Sequence, residues 1–216
     1  MRLGCGCGCL TLGLIGLLVG VLFWLGSGAF DEPATQHEVG TPAEGHRAQQ
    51  KLFGLAAAAA PANRRGDRRI GTTFSERELN AFLSRHHSGE GLPLAETGIR
   101  LVGDGLIEVT GRIPLHAFLG DSLGAVVGLL PPRWAGTPVW LRLRGYVRLE
   151  AGAARGDHRR LRLDVKEVTL GRRRVPVTIL SVLPEGRALR ATRWPVPDTV
   201  DSVTVESGRF TITMRP

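Results

Sequence analysis

The sequence predicts an α+β protein: an N-terminal transmembrane helix, then a curved antiparallel sheet packed around one or two helices. Three stretches carry that prediction. Leu3–Phe30 contains no charged residue. Val139–Leu149 places apolar residues at odd positions and Arg142, Arg144 and Arg148 at even ones, the period of a strand with one dry and one wet face. Phe74–Leu83 opens as a capped amphipathic helix.

The apolar run comes first. Its core, Leu10–Leu25, approaches the roughly 20 residues that a bilayer span needs, and the small residues around it extend it to full length. Arg2 precedes it and Asp31 and Glu32 follow, so the positive-inside rule places the N-terminus in the cytoplasm and the rest outside. Ser27-Gly28-Ala29 has the small-x-small form of a signal cleavage site, but the apolar stretch is long for an h-region, which favours an uncleaved anchor. Residues 1–30 are therefore read as the anchor. The protein is expected at a bacterial inner membrane as a single-pass protein with an extracytoplasmic, periplasmic domain. Cys5, Cys7 and Cys9 are the only cysteines and precede the apolar core. No His lies near enough to complete a metal site, so they read as small residues leading into a span, and the external domain has no disulfide.

Composition bounds the remainder. Apolar residues make up 43% and charged residues 22% of the 216, which excludes a largely disordered chain. The formal charge is +8, and only Lys51 and Lys166 are lysines. Arginine excess suits anionic headgroups or nucleic acid. It also follows from the codon bias of a G+C-rich genome, which enriches Arg, Gly, Ala and Pro together. An extracytoplasmic domain argues against nucleic acid.

Residues 31–69 read as a polar linker, rich in Pro, Gly and Thr up to Gly45, with an Ala-rich helix over His46–Ala60. Arg64, Arg65, Arg68 and Arg69 follow it, either as headgroup contacts or as a solvated charge run. Arg65-Gly66-Asp67 and Arg155-Gly156-Asp157 spell an integrin tripeptide, by chance in a chain this rich in Arg and Gly. Residues 70–216 read as one α+β domain.

In that domain Ser75 and Glu78 form a capping box and Phe74 with Leu79 a hydrophobic staple. Leu79, Phe82 and Leu83 make an apolar stripe. Asn80 is a poor helix former; it either bonds a neighbouring segment or faces water. His86 and His87 read as helix C-terminal cations rather than metal ligands. Gly98–Val102 and Leu106–Ile113 are strands around Gly103-Asp104-Gly105. Ser122–Leu130 is apolar nearly all round and reads as a short buried helix ending at Pro131-Pro132. The strands Val139–Leu149 and Arg160–Lys166 form a long hairpin, and the alternation slips at Glu167, where a β-bulge would curve the sheet. Pro176–Leu183 is a second apolar stretch, suited to a helix with Pro176 in its first turn. Val200–Val205 and Arg209–Met214 alternate around Ser207-Gly208 as a closing hairpin.

Catalysis has one candidate. Gly120-Asp121-Ser122-Leu123-Gly124 matches both the G-D-S-L and the G-x-S-x-G hydrolase patterns. A serine nucleophile needs a base oriented by a carboxylate. No His in the chain has an Asp three residues before it, and the last His, His158, lies in the hairpin tip. No phosphate loop or paired metal motif occurs. No catalytic residue, metal site or cofactor is expected.

Thr72-Thr73-Phe74-Ser75-Glu76-Arg77-Glu78-Leu79-Asn80-Ala81-Phe82-Leu83 resembles the opening that follows the membrane anchor in YpmS-like proteins and in LmeA-like phospholipid-binding proteins of TULIP type. The closing segment Pro197–Phe210 is similar to theirs as well, and the likeness spans about residues 70–214. It implies a curved sheet rolled around a helix, with an apolar groove for acyl chains. On this reading Leu123, Val126, Val127 and Leu130 line the groove, and Arg142 or Arg144 meets headgroups if it sits at the rim. The expected partners are the membrane, phospholipid and an envelope protein. A non-enzymatic scaffold, binding a protein or an anionic polymer through the Arg-rich sheet face, is the second expectation.

Overall fold

The computed structural model describes residues 30–33, 37–59, 69–86, 95–114, 136–150, 159–178 and 193–215, with the isolated positions 16, 20 and 28. The chain is α+β, with a curved antiparallel half-barrel and two helices. In chain order the elements are α1 (Pro42–Ala59), β1 (Ile70–Ser75), α2 (Glu76–His86), β2 (Ala95–Gly103), β3 (Leu106–Pro114), β4 (Pro138–Glu150), β5 (Arg160–Leu170), β6 (Arg173–Val175), β7 (Arg193–Pro195), β8 (Val200–Glu206) and β9 (Arg209–Met214). The strands β2 to β6 make one sheet in chain order, with β7 pairing β5. The strands β1, β9 and β8 make a second sheet of three.

The long hairpin is β4 and β5. Along β4 the buried positions are Val139, Leu141, Leu143 and Gly145, alternating with half-buried Trp140, Arg142 and Arg144. The predicted slip is present. Arg144 pairs with Glu167 but Gly145 pairs with Val165, so Lys166 is the extra residue of a β-bulge. Before it Leu163 and Val165 share the face of Val147 and Gly145; after it Val168 and Leu170 share that of Leu143 and Leu141. One extra residue thus keeps both halves of β5 apolar on the same side while bending the strand.

The predicted turn at Gly103-Asp104-Gly105 joins β2 to β3, and Asp104 and Gly105 both have positive φ (51° and 78°). Two such residues give the primed turn whose twist matches a hairpin. The closing hairpin is β8 and β9, turning at Gly208 (φ 71°). Strand β1 is new relative to the sequence reading. It is short and half exposed, without the alternation that marks a strand, and it is specified by pairing with β9 from Ile70–Met214 to Ser75–Arg209.

Helix α2 begins as predicted. The Ser75 amide donates to Glu78 Oε2 at 2.9 Å and the Glu78 amide donates to Ser75 Oγ at 3.2 Å, and Phe74 and Leu79 pack in one cluster. Helix α1 starts four residues earlier than expected. Thr41 is its cap: the Thr41 amide donates to Glu44 Oε2 at 2.6 Å and the Glu44 amide donates to Thr41 Oγ1 at 3.4 Å. Thr41-Pro42-Ala43-Glu44 is thus a capping box with Pro at the first helical position. These bonds from Thr41, foremost its amide and then its hydroxyl, hold the Glu44 carboxyl below its ordinary range.

The two helices cross closely. Ala48 and Ala81 are buried at the crossing, and a Cβ on Gly45 would lie 3.0 Å from the Ala81 carbonyl oxygen. Lys51 reaches across, its Nζ 2.6 Å from Glu78 Oε2 and 2.7 Å from the Thr73 carbonyl oxygen. Burial raises the Glu78 carboxyl, but the Lys51 ammonium, the Ser75 amide and Arg47 outweigh it and hold the group below its usual value of 4.5. A depressed carboxyl contributes stability that is fully present above the unfolded pKa and is lost as pH falls through the folded one. The unfolding free energies of wild type and Glu78→Gln should therefore differ by a constant amount above about pH 5 and converge in acid. A difference unchanged at pH 3 would refute the Lys51–Glu78 contribution.

The end of the segment read as anchor, Gly28 and Phe30, and the start of the stretch read as linker are both folded onto the body, so the anchor reading is cut back to residues before Gly28. Gly28 O accepts the Arg172 amide at 2.9 Å, at the turn between β5 and β6. Phe30 packs against the main core. His37 lies over Gly98 of β2. The Glu38 amide donates to Glu76 Oε1 at 3.2 Å, and its carbonyl accepts from Asn80. The described parts of residues 28–40 thus touch opposite edges of the sheet, β6 at one end and β2 at the other. Among the described residues no helix is long and apolar enough to cross a membrane. The predicted span falls almost wholly outside them.

Candidate functional site

The dry face of the larger sheet is the surface that the sequence reading points to. Its centre is the cluster of Leu101, Ile107, Ile113, Val139, Leu141, Leu143, Leu163, Val168, Leu170 and Val175, joined by Val205 of β8. Helices α1 and α2 pack chiefly on each other, on β1 and on β2, and β8 reaches β2 and β4. Toward the other end, Val147, Leu149, Leu161 and Val165 are half-buried.

Chain order brings one apolar run to one end of this face and a second to its middle. Pro114 and Pro138 are paired at the ends of β3 and β4, so the connection holding Ser122–Leu130 leaves and returns there. Val175 pairs with Val168, which is level with Leu143 midway along β4, so Pro176–Leu183 departs from the middle of the sheet, along the open edge of β5. Leu123, Val126, Val127 and Leu130 lie outside the described residues, as do Ser122 of the hydrolase pattern, His158, Cys5, Cys7 and Cys9, both Arg-Gly-Asp tripeptides, Arg64, Arg65, Arg68 and His87. Of Pro176–Leu183, only Pro176, Val177 and Thr178 are described. His86 ends α2 as expected, and Arg69 pairs with Asp201 at 3.7 Å.

Arg142 and Arg144 do not reach the dry face. The alternation of β4 turns them to the opposite side from Leu141 and Leu143. There the strands form a charge ladder: Arg100 pairs in register with Glu108, Glu108 with Arg144, and Arg144 with Glu167. Directly opposed unlike charges favour this register. Arg142 lies diagonal to both carboxylates, 3.9 Å from Glu108 and 3.5 Å from Glu167, and its Nη2 donates to Thr169 Oγ1 at 3.3 Å. Arg174 adds a second cation 3.1 Å from Glu167. Glu108 is only 6% exposed. The sequence reading offers Arg142 or Arg144 to headgroups at the groove rim; the structure instead turns both away from the dry face, and Arg142 is met by buried Glu108 and half-buried Glu167.

In the Glu76-x-Glu78-Leu79-Asn80 motif, of the two expectations for Asn80 the bond to a neighbouring segment is the one present, while the part of Glu76 is not read from the sequence. Strand β2 is an edge strand, and α2 covers its open side. Glu76 Oε2 accepts the Leu101 amide at 2.7 Å. Asn80 Oδ1 accepts the Ile99 amide at 2.7 Å while its Nδ2 donates to the Ile99 carbonyl at 2.8 Å. The side-chain amide acts as the missing neighbouring peptide. Gly208 completes the edge by donating to the Leu101 carbonyl at 3.0 Å. Each polar member of the motif therefore has a structural partner, and an edge open to aggregation is closed.

Among the described residues no group of three or more His, Cys, Asp or Glu is placed to hold a metal ion. The chain matches no protein-family model, no curated protein and no solved structure.

Proposed function

We propose that the chain is a membrane-anchored, extracytoplasmic lipid-binding protein that holds acyl chains in an apolar groove and carries out no catalysis. The observation behind this is the dry face itself, an apolar band running across β3, β4, β5 and β6 on the inner side of a curved sheet. One further apolar run, Ser122–Leu130, belongs to the connection that leaves and returns at one end of it, and a second, Pro176–Leu183, follows β6 from its middle. Burial of apolar area drives acyl binding at about 25 cal/mol per Å², so a long, curved, one-sided sheet offers the chemistry an acyl chain needs. The resemblance of Thr72–Leu83 to the YpmS-like and LmeA-like opening supports the same reading. Arg142 and Arg144 are dropped from the lipid site. The scaffold reading loses weight, since much of the Arg-rich face is neutralised by its own carboxylates and has less charge to offer a polymer.

The test is native mass spectrometry of the full chain released from detergent micelles. A discrete added mass in the phospholipid range, removed by organic extraction, is the expected result. Val127→Asp should abolish it while the far-ultraviolet circular dichroism stays that of the wild type. A wild-type chain carrying no lipid would refute the proposal.

A further inference from the structure

We infer that the β5–β6 end of the domain rests on the bilayer that its own N-terminal segment enters, with Arg172 and Arg173 at headgroup level. This rests on the reading of the uncharged N-terminal run before Gly28 as an anchor. The uncharged run ends where the chain first docks. The Gly28 carbonyl oxygen is 2.9 Å from the Arg172 amide, Asp31 Oδ2 is 3.8 Å from Arg172 Nε, and the open side of Gly28 faces Arg172 and Arg173. Between Leu25, the last residue of the apolar core, and Gly28 stand only Gly26 and Ser27, which span at most about 10 Å when extended. A domain tied this closely cannot turn its far end to the membrane.

The side chains at that end suit an interface. Arg172, Arg173 and Arg174 are exposed. Trp140, half-buried, accepts the Gly171 amide on its carbonyl at 2.7 Å and carries Arg112 over its ring, 5.6 Å from the centroid. Arg and Trp are the residues of the headgroup region. Arg172 is partly met by Asp31 and Arg174 by Glu167, so the short tether, more than net charge, sets the orientation. The consequence for lipid binding is direct. The end of the dry face that meets the membrane is the end marked by Pro114 and Pro138, so an acyl chain leaving the bilayer enters the groove there without crossing water.

The experiment uses the full chain with Cys5, Cys7 and Cys9 changed to Ser, in phosphatidylglycerol–phosphatidylethanolamine vesicles carrying a headgroup nitroxide. A bimane label is placed at Arg173→Cys or at Arg148→Cys, the latter exposed on β4 about 26 Å farther along the strand than Trp140. Quenching several-fold stronger at 173 than at 148 is expected. Inserting about eight Gly-Ser residues between Ser27 and Gly28 should erase the difference by freeing the tether. Equal quenching at the two sites, none at 173, a difference that survives the insertion, or a chain that washes off the vesicles would each overturn the inference. The lipid mass measurement is independent. Lipid retained without the quenching difference rejects the orientation alone, and the difference without retained lipid rejects the groove alone.

Discussion

Asn80→Ala is expected to lower the unfolding free energy by on the order of 3 kcal/mol, a large effect for one side chain on a helix. The truncation leaves the amide and carbonyl of Ile99 and the carbonyl of Glu38 without the partners that hold them at 2.7, 2.8 and 2.9 Å. Unmet backbone groups in a buried setting cost roughly 1–3 kcal/mol each, and Asn80 is itself buried. Asn80→Asp separates hydrogen bonding from volume. It keeps the acceptor for the Ile99 amide but turns a carboxylate toward two carbonyl oxygens, so it should be no better than Ala above the carboxyl pKa. Urea unfolding of the full chain in mild detergent measures both. A loss below about 1 kcal/mol would mean that water replaces the amide and that the edge of β2 does not depend on α2.

The second large effect is expected at Gly145. Its partner across the hairpin is the bulged turn of β5. A Cβ there would run into the Asp164 carbonyl oxygen and stand 2.9 Å from Val165 Cα. Both are backbone atoms, so relief requires the bulge to move. Gly145→Val should cost about 3 kcal/mol or more and shift the pairing of β4 with β5, read as lost amide protection across Leu161–Val165. Gly54 is the control. It sits exposed in α1 with nothing within 4 Å of a built Cβ, so Gly54→Ala should stabilise by about 0.5–1 kcal/mol through helix propensity. Equal behaviour of the two glycines would show that the bulge tolerates a side chain.

Much of the frame was legible from local chemistry. The alternation of Val139–Leu149 set a strand with a dry side. The slip at Glu167 located the bulge to within one residue, because an apolar pattern with a fixed period of 2 can be kept on one face only by adding a residue. Ser75 and Glu78 set the start of α2, since a capping box is made within four residues. Thr41-Pro42-Ala43-Glu44 carries the same signal for α1, four residues ahead of the Ala-rich run that helix propensity alone picks out.

The rest depended on contacts between distant segments. Nothing in Ile70–Ser75 alternates, and only pairing with β9 makes it a strand. Arg142 looked like a free cation at a groove rim. The register that places Glu108 and Glu167 on either side of it is a property of three strands together. Asn80 looked like a poor helix residue, and its value appears only when an edge strand lies beside it. The sequence by itself determined periods, caps and turns, because these are satisfied within a few residues of chain. The tertiary structure decided which charges are spent on one another and which backbone groups need an outside partner. Those depend on atoms that share no neighbourhood in sequence until the sheet has closed.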